Sequence, residues 1–112
     1  MKDSVVLVTR QGMGSGDLAL QRKLFITYLK VLLENGSLPG ALCFYTDGVK
    51  LVVEGSQVLD LLKEFETRGV HLILCRTCLE HVGLLDQVRV GVVGGMGDIV
   101  AAQTMASKVL AI

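Results

Sequence analysis

The stretch SVVLVTRQGMGSGDLAL, residues 4 to 20, passes from a run of β-branched and apolar side chains, through a turn rich in glycine, into a segment of helical period. From Ser4 to Thr9 the run does not alternate apolar with polar residues, as a strand with one wet face would. Apolar throughout, it reads as a strand covered on both faces, which is the habit of parallel sheets flanked by helices. In the segment that follows, LALQRKLFITYLKVLLENG, the residues Leu18, Leu24, Phe25, Tyr28, Leu29, Leu32 and Leu33 recur at three- and four-residue steps. Asp17 is placed to cap this helix and Gly36 to close it.

The alternation continues along the chain. ALCFYT (41 to 46) is a second buried strand, and DGVKLVVEGS a connecting loop with a short extended piece at Val49 to Val53. Ser56 begins the helix QVLDLLKEFETRG, with the stripe Val58, Leu61, Leu62 and Phe65. VHLILC (70 to 75) is the third strand, CLEHVGLLD a short helix, VRVGVV (88 to 93) the fourth strand, DIVAAQTMAS the last helix and KVLAI the last strand. The expected fold is therefore α/β: one domain over residues 1 to 112, a three-layer α/β/α sandwich on a mainly parallel sheet of about five strands.

Composition excludes several classes of function. Eleven Lys and Arg balance eleven Asp and Glu, and no run of like charge creates a local field, so neither nucleic acid nor an anionic membrane is an expected partner. The apolar run at the start is too short for a signal segment, and none approaches a membrane span, which points to the cytoplasm. Three cysteines do not make a secreted disulfide framework, so reduced thiols are the default. An apolar fraction of 51% exceeds what a lone domain needs and points to burial between subunits of a homo-oligomer.

In a parallel sheet, ligands gather at the carboxyl ends of the strands. Three loops there stand out: GMGSGD after the first strand, CRTC after the third and GGMGD after the fourth. Gly12, Gly14 and Gly16 do not form G-x-G-x-x-G, because position 17 is Asp, and no G-K-[ST] follows; no cofactor is expected. Their first role is a turn, with Asp17 or Asp98 capping the next helix, although backbone amides around Gly14, Gly16, Gly95 and Met96 can also hold a small anion.

The pair Cys75 and Cys78 has several readings. A thioredoxin-like dithiol needs a later proline beside it, whereas the only proline, Pro39, comes earlier. A structural zinc site needs four ligands; only Cys43, His71 and His81 remain to complete one, and Cys43 and His71 lie within strand runs rather than in a second knuckle. Cys43 reads as a core thiol. His71 reads as a strand-end residue, and His81 shares a helix face with Cys78. Cys75 differs from a packing thiol because it ends a strand, next to a helix start and to Arg76, in surroundings that favour thiolate. The effect is moderate: a helix terminus moves a thiol of pKa about 8.5 by under one unit, leaving roughly a tenth to a fifth ionised at neutral pH. Such a thiol suits exchange with a delivered persulfide.

These residues carry a resemblance. GSGD (14 to 17), the whole of residues 38 to 100 and the closing KVLAI resemble the DsrE-like domain that forms the C-terminal half of the YedF selenium-metabolism proteins. The most specific parts are GVKL…EGS and C-x-T-C-L. The wider DsrE/TusD family is similar more thinly, through a Cys ending a strand and a Gly eight residues on, here Cys75 and Gly83. The resemblance implies a sulfur or selenium carrier, or a sulfurtransferase-like relay protein, in which Cys75 accepts a persulfide and Cys78 resolves or shares it. It also implies assembly into oligomers and a TusA-like sulfur-carrier protein as a partner. Where the subgroup tends to have C-G-T-C and Asn-Met, this chain has Cys75-Arg76-Thr77-Cys78 and Gly95-Met96. The competing class is a non-catalytic interaction subunit whose cysteines only pack; a dithiol redox protein is a further alternative.

Overall fold

The computed structural model describes residues 2–112. In chain order the elements are β1 (Ser4–Val8), α1 (Leu18–Asn35), β2 (Ala41–Phe44), α2 (Leu59–Thr67), β3 (His71–Cys75), α3 (Arg76–His81), β4 (Val92–Gly94), α4 (Met96–Met105) and β5 (Lys108–Ala111). Short 3-10 turns lie at Thr46–Leu51 and Leu85–Gln87. The strands form one sheet in the order β4-β3-β2-β1-β5, and its neighbouring strands pair in parallel. This is the α/β architecture expected from the apolar strand runs.

Helix placement follows from the order of the strands. From β1 to β4 the chain moves steadily in one direction across the sheet, so right-handed crossovers put α1, α2 and α3 on one face. The step from β4 to β5 runs the opposite way, to the far edge, and puts α4 on the other face. On the first face Val6, Val8, Leu42, Phe44, Leu72 and Leu74 are sealed, together with Phe25, Leu29, Leu62 and Phe65 of the helices. Each such side chain contributes about 1.5–3 kcal/mol by leaving water. The face left to α4 is less completely covered: Val5, Ala41 and Cys43 are buried, but His71, Val92 and Val109 are exposed.

Several boundaries differ from the sequence reading, each for a local reason. On α1 only Phe25, Leu29 and Leu32 are buried, and Leu18 and Leu24 face outward, because the sheet contacts a narrower stripe than the apolar pattern offers. The piece expected to extend over Val49 to Val53 winds into the first 3-10 turn, and only Val53 makes a bridge, antiparallel to Val88. That bridge also shortens β4. Arg89 donates its backbone N–H to the Val52 carbonyl at 2.9 Å and its Nε to Glu54 Oε2 at 2.7 Å, so residues 88 and 89 belong to this clasp and the strand starts at Val92. The second helix starts at Leu59, after Ser56 Oγ accepts the Val58 N–H.

Candidate functional site

The reversal in strand order fixes where a site belongs. Past β3 the chain turns to the face of α1 and α2 and past β4 it turns to the opposite face, so the connections that leave the adjacent carboxyl ends of β3 and β4 run apart. Such switch points are where open parallel sheets bind their ligands. Cys75 is the last residue of β3 and pairs in register with Gly94, the last of β4.

Both thiols of the pair are held by backbone amides. Cys75 is the N-cap of α3, and its Sγ accepts the Cys78 N–H at 3.4 Å. The Sγ of Cys78 in turn accepts the Thr46 N–H at 3.1 Å. Thr46 has φ 48°, and it alone of the described non-glycine residues has a positive φ. A β-branched residue in that region is strained by about 1–3 kcal/mol and persists only where its surroundings hold it. Here the holding group is its own hydroxyl, which can donate to the Thr9 carbonyl at 2.8 Å or to the Tyr45 carbonyl at 2.7 Å. Thus the ends of β1, β2 and β3 are linked through Thr9, Thr46 and Cys78.

Exposure distinguishes the cysteines. Cys43 is wholly buried in β2, and burial pushes its thiol up to about 11. Cys75 is 3% exposed, and Cys78 is the half-buried member of the pair. The Cys78 thiol is raised above its ordinary value, first by burial and then by the Cys75 thiol beside it, against the lowering influence of the Thr46 amide. Cys78 is therefore reachable without being strongly ionised. Under native alkylation with iodoacetamide, read by peptide mass, Cys78 is expected to react first, Cys75 next and Cys43 last. A pKa near 11 alone makes Cys43 slower than a free thiol by roughly a hundredfold or more. Equal rates at the three positions would remove the basis for a specialised pair.

The other residues singled out from sequence divide into two groups. Gly95 and Met96 follow directly on Gly94, the register partner of Cys75; Gly95 donates its N–H to Asp98 Oδ2 at 2.8 Å and Met96 is 56% exposed. Arg76 is exposed on the first residue of α3. Gly14 and Gly16, both at positive φ, lie in the loop after β1, a strand separated from β3 by β2. Their carbonyls accept from Arg10 and Gln21, which fold that loop onto α1. His81 is exposed at the end of α3, and His71 opens β3 at the opposite end of the sheet from the thiols. Among the described residues no three His, Cys, Asp or Glu side chains gather as a metal site. Sequence reasoning missed Thr46. Its loop carries the dipeptide Asp47-Gly48 directly after a strand, a turn signal, but nothing marks a threonine as the residue with positive φ.

Comparison with known proteins agrees with this fold. The DsrE/DsrF-like family matches residues 4–112. The crystal structure of the ychN protein from E. coli superposes with a TM-score of 0.71 at 21% identity, over 100% of both chains. The MTH1491 protein of unknown function from Methanobacterium thermoautotrophicum gives 0.71 at 21% identity, over 97% of each chain. The BT1422 protein of unknown function from Bacteroides thetaiotaomicron gives 0.65 at 18% identity, over 98% of this chain and 95% of its own. Likeness at these identities is one of fold. No curated protein matches the sequence.

Proposed function

The chain belongs to the DsrE/DsrF-like family, and from that premise we propose that it is a sulfur-relay protein that takes up sulfane sulfur, or its selenium counterpart, on the pair Cys75 and Cys78. The observation that carries the reading is two adjacent thiols, each receiving a backbone N–H, at the point where β3 and β4 diverge. A donor persulfide reaches Cys78, the more exposed thiol. The Cys78 thiolate attacks the outer sulfur, a Cys78 persulfide forms and the donor leaves as thiolate. Attack by the Cys75 thiolate on the same outer sulfur then moves it to Cys75 and frees Cys78, with no net oxidation. Attack on the inner sulfur would instead give a Cys75–Cys78 disulfide and release hydrosulfide. The sequence reading began the relay at Cys75; exposure favours Cys78 as the first acceptor and Cys75 as the sheltered second one. Intact mass after incubation with a small persulfide donor tests the relay.

Within the family we place the chain with the YedF-like subgroup, on the strength of C-x-T-C-L and GVKL…EGS. A TusA-like carrier protein then becomes the partner, and the cytoplasm the compartment in which thiols stay reduced. No helix among the described residues is long and apolar enough to cross a membrane.

Association into a homo-oligomer completes the proposal. α4 exposes Met96, Val100 and Met105, and the edge strands expose Val92 and Val109. An apolar groove of about 640 Å³ runs between α4 and the β3–β4 edge, past Ile73, Val92, Ala101 and Met105. Surface of this kind on one face is commonly closed by a second copy. Light scattering is expected to give a multiple of 12.0 kDa; a single-chain mass held across a wide concentration range would reject it.

A further inference from the structure

We infer that Thr46 is a positioning residue for the sulfur on residue 78: its hydroxyl locks a left-handed turn that aims the Thr46 amide at that sulfur and stabilises it as an anion. For a persulfide at position 78 this rests on the sulfur-relay reading; for the thiolate it stands by itself.

Three features converge on one atom. The Thr46 N–H lies 3.1 Å from Cys78 Sγ, a contact between residues 32 positions apart that joins the loop after β2 to α3. The backbone that delivers this N–H has φ 48°, which glycine would adopt freely and threonine does not. The side chain supplies what glycine lacks, a hydroxyl placed against the Thr9 and Tyr45 carbonyls. A loop needing only to turn would be served by Gly, Asn or Asp at that position. A threonine there trades local strain for a fixed amide direction. An N–H fixed on sulfur favours the anion over the thiol, and is stronger for being charge-assisted. Burial and the Cys75 thiol raise the Cys78 thiol, and the Thr46 amide is the influence that acts against them.

The test follows alkylation of Cys78 against pH in the full chain, with peptide mass separating the three cysteines and thermal melting recorded on the same samples. Thr46→Val keeps the branched shape and loses the hydroxyl; the Cys78 profile is expected to move up by about one pH unit, so that alkylation at neutral pH slows roughly tenfold. Thr46→Ser keeps the hydroxyl and is expected to keep the wild-type profile. Should the valine variant fail to fold, Thr46→Gly tolerates positive φ and is expected to shift in the same direction by a smaller amount. A melting temperature that falls while the Cys78 profile stays at the wild-type position would overturn the inference and leave Thr46 as a loop anchor. Treating the same samples with a small persulfide donor separates the two ideas. A shifted profile in a protein that takes up no sulfur sinks the relay and keeps Thr46 as a thiolate-positioning residue. An unmoved profile in a protein that loads normally does the reverse.

Discussion

Cys78→Ser is expected to abolish loading from a persulfide donor, whereas Cys75→Ser is expected to gain about 32 Da and to lose it faster than wild type under a thiol reductant. Exposure sets the order: Cys78 is half-buried and Cys75 is 3% exposed, so a donor larger than a few atoms meets Cys78 first. Both substitutions should leave the fold intact. Serine is a preferred N-cap, so Ser at position 75 can still accept the N–H of residue 78. Ser at position 78 can still accept the N–H of Thr46. In wild type the added mass should map to Cys75, where burial shields it; in Cys75→Ser it stays on the open position. Loading that survives in Cys78→Ser and vanishes in Cys75→Ser would restore the order drawn from sequence, with Cys75 as direct acceptor. Wild-type loading in both variants would remove the pair from the chemistry altogether.

How much of this was legible in the sequence depended on how local each cause is. The strands at 4–8, 41–44 and 71–75 were readable because they are the interior of the sheet and apolar on both faces. Asp17 and Gly36 were readable as caps because each acts within its own helix end: Asp17 accepts the Leu20 N–H and Gly36 takes φ 66°. β4 was read too long because Val88 resembles a strand residue yet pairs with Val53, thirty-five positions earlier and antiparallel. The position of Cys75 at the end of β3 was visible from the sequence, but its 3% exposure was not, since burial depends on residues distant in sequence packing together. Thr46 illustrates the limit most clearly. Its role needs the ends of three strands in register, and its backbone conformation is one that its own side-chain type disfavours.

Gly48→Ala is expected to destabilise the protein by about 3 kcal/mol, with a fall in melting temperature of roughly 10 °C. Gly48 is buried in the 3-10 turn after β2, and a Cβ there would collide with the Val8 carbonyl oxygen and stand 2.7 Å from its carbon. Neither group can yield cheaply. Val8 ends β1, pairs with Phe44 of β2 and accepts the Tyr45 N–H at 3.2 Å, while Gly48 itself donates to the Tyr45 carbonyl at 3.0 Å. Relief therefore requires the turn to lift from the end of β1, which pulls Thr46 away from Thr9 and withdraws its amide from Cys78. The folded fraction of Gly48→Ala should accordingly show a Cys78 alkylation profile displaced in the same direction as Thr46→Val. Gly55→Ala is the matched control: Gly55 has φ 89° but nothing within 4 Å of a Cβ, so it should cost only the backbone strain, about 1 kcal/mol, and leave Cys78 unaffected. A Gly48→Ala melt within about two degrees of wild type would mean that the turn does not press on β1. The mechanical link from Val8 through Thr46 to the thiol would then be absent.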